Sequence, residues 1–346
     1  MRTKPLYSIV GKTLLCRRWW VGVLATCVSI PAFALNLDEE PLQPIKPVAS
    51  IHLEKARLGQ RLFHETKISS DKKTSCASCH DLQAGGADNK AVSTGAMNTQ
   101  GTRNSPTVFN SVFNFRQLWD GRAKTLAEQA HLAINNEMAL TEHWEDAAEA
   151  LAADSQYSEV FNTLYGGVSK DAVTDAIAEF EKTLTTPDSP FDLYLKGNEE
   201  AISDQQKRGY ELFKSYGCSS CHQGQNVGGN MFQKFGVLKD ITLRQNHSDD
   251  LGRYRVTGNE WDKYVFKVPS LRMVSLTPPY FHDGSVPTLE RAVDVMIEFQ
   301  LGRPVPQQDR DDIVAFLKSL AGTYTDTLSG NTDNTDNTDN TDNTDK

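Results

Sequence analysis

The chain has 346 residues, of which 38% are hydrophobic, 23% charged and 9% aromatic, so it can pack a core and wholesale disorder is excluded. At this length about two domains are expected. Its 36 basic residues stand against 45 acidic ones, a formal charge of −9 with no basic stripe, which argues against nucleic-acid binding.

Residues 1–34 read as a cleaved signal peptide. Arg2, Lys4, Lys12, Arg17 and Arg18 form a basic region without an acid, an apolar run over 19–30 follows, and Ala32-Phe33-Ala34 offers small residues at a cleavage site. The run is short for a membrane span. A retained anchor is the alternative, and Leu24-Ala25-Thr26-Cys27 and Arg17-Arg18 bear weak likenesses to a lipobox and a twin-arginine signal. Cleavage leaves 31 basic against 45 acidic residues, a formal charge of −14, as for an acidic protein exported to the periplasm.

Apolar residues at helical spacing predict helices over 51–63, 125–134, 142–152, 155–165, 169–184, 203–214, 289–300 and 307–320. Strand alternation is scarce, so the expected fold is mainly α. The segment 185–190 carries two prolines and reads as a linker. After Gly330 an Asn-Thr-Asp triplet repeats five times, a solvated tail without an apolar residue.

Cys16 and Cys27 lie in the signal, which leaves four cysteines in two motifs, Cys76-Ala77-Ser78-Cys79-His80 and Cys218-Ser219-Ser220-Cys221-His222. Each is a c-type haem attachment site. Two thiols at this spacing add to the two vinyl groups of one porphyrin, and the next residue presents an imidazole to the iron. A four-cysteine zinc site, redox pairs or disulfides would not require a histidine after each pair.

An internal repeat accompanies the motifs. Leu62-Phe63 precedes the first and Leu212-Phe213 the second; Gly85-Gly86 and Gly228-Gly229 follow the two histidines at nearly equal distances. Residues 176–184 (AIAEFEKTL) parallel 312–320 (DIVAFLKSL) as closing amphipathic helices. Two related haem domains in tandem are expected.

An iron with two strong protein ligands passes electrons, whereas one with an open face binds peroxide or oxygen. For the second iron Met296 is the favoured sixth ligand, with Met231 and Met273 as competitors; a methionine at helical spacing is otherwise a core residue.

Over about 58–320 the sequence resembles the bacterial dihaem cytochrome c peroxidases, a family related to the MauG-type dihaem enzymes. The resemblance rests on both haem motifs and on RNSPTVFN at 103–110, LWDGRA at 118–123, FKVPSLR at 266–272 and PYFHDG at 279–284. It implies a peroxidatic haem c domain over 35–190, an electron-transfer haem c domain over 191–325, a calcium site at their interface and a tail over 326–346. Two covalent haems c and calcium are the implied cofactors. Hydrogen peroxide, a small cytochrome c or copper protein as electron donor, and a second copy in a homodimer are the implied partners.

The resemblance also assigns roles. His80 and His222 ligate the two irons, with Met296 on the second. Trp119 lies between the haems as an electron conduit. Asn104, Thr277 and Pro279 bind calcium through oxygen, which suits a hard cation. Gln129 orients peroxide and Glu137 moves a proton from its proximal to its distal oxygen so that water leaves; their interval is two residues shorter than the family pattern.

Many members carry a histidine sixteen residues after the first haem-binding one, closing that iron until the other is reduced. Here the position is Ala96, which has no donor atom, so the first haem is expected to be open at rest. Met97, His131 and His143 are the competing ligands. His131 is otherwise a proton-transfer assistant or a solvated helix residue, and His282 is expected to support the second haem rather than ligate it. His52, His64 and His247 receive no role. Two other functions stay open: a MauG-like enzyme oxidising residues of a partner protein, in which the second haem of the cofactor-maturing members has a tyrosine ligand, and a dihaem electron carrier, which would need two closed irons.

Overall fold

The computed structural model describes residues 37, 39–135, 141, 143–244 and 249–328. The signal peptide, Glu137, His247 and the Asn-Thr-Asp repeats lie outside the described residues. Helices dominate: α1 (Leu53–Phe63), α2 (Leu126–Asn135), α3 (Trp144–Ala152), α4 (Ser155–Tyr165), α5 (Lys170–Glu181), α6 (Pro190–Leu195), α7 (Asp204–Ser215), α8 (Tyr254–Thr257), α9 (Leu289–Met296) and α10 (Gln307–Lys318). Among the described residues one antiparallel pair of short strands, β1 (Phe232–Lys234) and β2 (Val265–Lys267), matches Phe232 with Lys267; the sequence pattern did not announce it because each strand is only three residues long. Among the described residues no helix is long and apolar enough to cross a membrane.

The helix ends follow local chemistry. Side chains of Asp154, Ser169 and Thr288 accept backbone N–H groups in the first turns of α4, α5 and α9, where no helical carbonyl is in reach. Ser203 and Gln206 cap α7 reciprocally. The expected linker is not a free tether. Ser189 and Asp192 form a capping box, and Pro190 opens α6 at the position where a missing N–H is harmless. The helix expected over 289–300 is regular to Met296 and then widens into a π turn over Ile297–Leu301, ended by Gly302 in the left-handed region.

The sequence repeat becomes a repeated helix crossing. α1 packs across α5 and α7 across α10. At each crossing a glycine faces the partner's backbone. A Cβ on Gly59 would lie 1.8 Å from the Ala176 carbonyl oxygen, and one on Gly209 would lie 1.9 Å from that of Asp312. Phe180 and Phe316 fill the space beside them. Two wide turns repeat as well: the Gln117 N–H donates to the Ala123 carbonyl and the Tyr280 N–H to that of Val286, with Leu118 and Phe281 both left-handed at φ 68° and 70°.

Packing crosses the expected boundaries. Leu42, close to the start of the described chain, is buried with Phe191, Tyr210, Phe213 and Phe316, and the Glu40 carboxylate accepts from the Tyr210 hydroxyl. At the other end Leu328 is buried with Phe63, Phe109 and Phe180, and Asp326 accepts from Gln60. Each terminal segment therefore fastens to the half that is remote in sequence. The buried Arg272 ties two more segments, binding Asp192 at 2.7 Å and the Ser189 hydroxyl at 3.0 Å at the start of α6 and the Gln43 carbonyl at 3.0 Å.

Candidate dihaem site

Both cysteine motifs fold into the same short turn. The His80 N–H donates to the Cys76 carbonyl and the His222 N–H to that of Cys218, each at 3.0 Å. The tight turn brings two thiols and an imidazole to one side of the chain. Each motif lines its own cavity, of about 650 Å³ for the first and about 400 Å³ for the second. These volumes lie in the range of small-molecule and cofactor sites. Separation of the pairs also sets aside a single four-cysteine zinc site. Burial pushes the Cys76 thiol up to about 12 and that of Cys218 up to about 11, so neither is an activated thiolate.

The imidazoles suit an iron. Burial lowers both below the ordinary histidine value, His222 to about 4, which keeps them neutral. His80 Nδ1 lies 3.3 Å from the Gly86 carbonyl oxygen, a contact that orients the ring and leaves Nε2 for a metal. His222 Nδ1 is buried toward the backbone of Val227 and Pro269 without closing a hydrogen bond.

Met296, at the end of α9, lines the second cavity with His222, whereas Met231 and Met273 do not. Met273 is buried in the cluster with Phe109 and Phe180 instead. His282 lines this cavity too, its ring stacked on Phe266 at 4.1 Å. A residue that sequence reasoning missed is Lys267, buried in the same wall; burial pulls its ammonium down to about 8, and an anion such as a haem carboxylate would restore it.

The first cavity receives Gln129 from α2. Among the described residues His80 is the only histidine or methionine in its wall. Ala96 is buried beside that wall, which Gly95 joins, while the adjacent Met97 is 70% exposed and turned away. His131 is half-buried on α2 outside the lining, and His143 is exposed as the residue preceding α3. His52 caps α1 by accepting from the Lys55 N–H. The second missed residue, Glu181 on α5, is buried in this wall, and burial pushes its carboxyl up to about 8. The repeat held a signal for it, since it pairs Glu181 with Leu317.

Residues 104–107 and Trp119 line both cavities. The Trp119 indole donates to the Asn104 carbonyl at 2.9 Å and its own carbonyl accepts from the Lys267 N–H at 2.8 Å. Arg103 braces this wall, binding Asp250 through two nitrogens at 2.5 and 2.8 Å and Asp120 at 2.6 Å. Asn104, Thr277 and Pro279 share the second cavity's wall. Among the described residues no group of three or more His, Cys, Asp or Glu is placed to hold a metal ion, so a cation here would rest on carbonyl and amide oxygens.

Residues 53–200 match the family model described as di-haem cytochrome c peroxidase. Cytochrome c peroxidase Ccp of Escherichia coli is 49% identical over 289 residues, 83% of this chain and 62% of that protein, so the chain spans less than two thirds of that relative. Cytochrome c551 peroxidase of Nitrosomonas europaea is 46% identical over 289 residues, 83% of this chain and 86% of that protein. Among solved structures, a MauG-like protein associated with microbial copper homeostasis superimposes with a TM-score of 0.71 at 26% identity, over 84% of this chain and 96% of that one.

Proposed function

The chain belongs to the dihaem cytochrome c peroxidase family, and on that premise we propose that it reduces hydrogen peroxide to water in the periplasm, with electrons from a small cytochrome c or copper protein. Each turnover takes two electrons and two protons per peroxide and yields two waters. The observation that carries this reading is the contrast between the cavities: the second offers both His222 and Met296, whereas the first offers His80 alone among described histidines and methionines. One site is furnished for electron storage and the other for substrate.

Haem c, when bound, supplies the redox chemistry of both sites. Cys76, Cys79, Cys218 and Cys221 are its attachment thiols, His80 and His222 the imidazole ligands, and Met296 the thioether that favours the reduced state. Gln129 orients peroxide through its side-chain amide. Glu137 is assigned the transfer of a proton between the peroxide oxygens, so that water rather than hydroxide leaves. Trp119, common to both walls, is assigned as the electron conduit. Ala96 offers no ligand atom, and the enzyme is active without reductive activation.

The same reading divides the mature chain into tandem cytochrome c-like domains over 35–190 and 191–325, behind a signal over 1–34 and ahead of a tail over 326–346, whose first residues Asp326 and Leu328 pack on the first half instead of standing free. Calcium binds Asn104, Thr277 and Pro279 between them, and two copies form a homodimer.

The likeness to a MauG-like structure favours a second reading, oxidation of residues on a partner protein. Against it stands the second cavity, where Met296 is available and the buried Tyr280 already donates its hydroxyl to the Val274 carbonyl at 3.0 Å.

Low-temperature EPR of the oxidised two-haem protein, followed by peroxide and a reduced cytochrome c, tests the proposal. A high-spin ferric signal with prompt turnover is expected. Two low-spin signals with no reaction until one electron is added would remove the Ala96 argument, and no turnover after that electron would leave an electron carrier.

A further inference from the structure

The two cavities are built from equivalent positions, so a difference in charge between them is informative. α5 faces the first cavity with Ile177 and Glu181, and α10 faces the second with Ile313 and Leu317, four residues apart in each case. Phe180 and Phe316 fix the register, each beside the crossing glycine. A carboxyl group thus stands in the first half where the second has an isobutyl group. Glu181 is 4% exposed, and its Oε2 has no hydrogen-bond partner among the described residues. A buried polar atom left unmatched is unfavourable and calls for a functional reason.

Its surroundings do not neutralise it. The attachment thiol of Cys76 lines the same wall, and the Glu181 charge adds to the burial that raises it. Across the same cavity Cys79 and His80 complete the motif, and Asp249 is a further acid. Arg103, Arg122 and Arg255 are held by Asp120 and Asp250. On the packed helices, Lys55 of α1 is bound by Asp175, Glu179 and Lys182 beside Glu181 bind each other, and Arg61 covers Tyr157. From α2 come Glu128, which accepts from the Lys124 N–H, and His131; Tyr324 closes the C-terminal side.

We propose that Glu181 sets the redox poise of the haem held in the first cavity, its carboxylate favouring the oxidised form and taking up one proton when that haem takes up one electron. The step balances: one electron from the donor converts ferric to ferrous iron, and one proton from water converts the carboxylate to the acid. Oxidation returns both. The consequence is order of filling. An electron entering the protein settles on the haem held by Met296, and the first stays ferric to meet its substrate. Glu181 and Cys76 share the first cavity's wall, so a haem attached through Cys76 would lie within reach of the Glu181 charge. The inference rests on the haem-binding part of the reading above and not on peroxide turnover.

Spectroelectrochemical titration of the two-haem protein between pH 5 and 9 tests this, each haem being followed by its own spectrum. In the wild type the reduction equilibrium of the first haem is expected to fall with rising pH by up to tenfold per unit, about 59 mV for one electron. Glu181→Gln and Glu181→Leu flatten that slope and favour the reduced first haem by tenfold or more at pH 8, Glu181→Asp restores the slope, and the second haem does not move. A wild-type slope in Glu181→Gln assigns the proton to another group and overturns the proposal. An equal shift of both haems overturns it too, as does failure of both Gln and Leu variants to carry two haems. If the slopes behave as expected while wild-type protein turns over no peroxide, the redox role stands and the peroxidase reading falls.

Discussion

The indole N–H of Trp119 donates to the backbone carbonyl of Asn104 at 2.9 Å, in a wall that both cavities share. The tryptophan is thereby held by the first half, and its own carbonyl binds β2 of the second. The indole and the backbone of the same residue are thus each tied to one half of the shared wall.

Trp119→Phe keeps an aromatic ring but leaves the Asn104 carbonyl without its donor, at a stability cost of about 1–2 kcal/mol. Peroxide turnover with a reduced cytochrome is expected to fall tenfold or more. Stopped-flow reduction of the second haem should keep its wild-type rate. Unchanged turnover would take Trp119 out of the electron route.

Ala96 sits in a turn closed by the Gly95 N–H on the Thr99 carbonyl, at the edge of the first cavity. Ala96→His supplies an imidazole there. Its first haem should become low-spin in EPR, and turnover should show a lag that one electron per molecule abolishes. A high-spin Ala96→His protein would mean that this turn holds residue 96 out of reach of the iron.

Gly59 and Gly209 are the contact points of the two helix crossings. A methyl group at either would press into a carbonyl oxygen, and the helices must separate to admit it. Gly59→Ala and Gly209→Ala should each lose on the order of 3 kcal/mol, read as a lowered thermal midpoint of the holoprotein. The loss should be accompanied by haem disorder in the first half for Gly59→Ala and in the second for Gly209→Ala. Midpoints at the wild-type value would mean that the crossings yield without strain.

Burial alone would raise the Asp250 carboxyl, but hydrogen bonds from Arg103 hold it below the ordinary carboxylate value. A depressed folded pKa gives stability that is present above the unfolded value near 4 and lost as pH falls through the folded one. Asp250→Asn is therefore expected to destabilise the protein by about 3 kcal/mol at pH 7 and by less at pH 3. Denaturant titrations at both values check this. A loss of the same size at pH 3 would make it a packing effect.

Much of this protein is legible from short-range pattern. The two CxxCH motifs specify their attachment chemistry because thiol, thiol and imidazole fall on one tight turn, and the turn forms as the spacing demands. Helix α4 matches its expected span residue for residue, since Asp154 and Gly166 supply local start and stop signals. Met296 is favoured among three methionines by its neighbours in sequence and by the family resemblance, and of the three it alone lines the second cavity. The α6 start at Pro190 was misread as linker because a proline ends one helix and opens another equally well.

The sequence by itself determined the charge, which is a sum over composition, and the haem motifs and helical repeat, which depend on residues a few positions apart. Only the tertiary structure decided which side chains share a wall. It put Trp119 and residues 104–107 on both cavities, turned Met97 outward beside the buried Ala96, and sent Leu42 and Leu328 to the halves remote from them in sequence. It also decided that Glu181 is buried. Its place on the helix is periodic, but whether that face meets water or a cavity depends on α1 crossing at Gly59, a contact more than a hundred residues away along the chain.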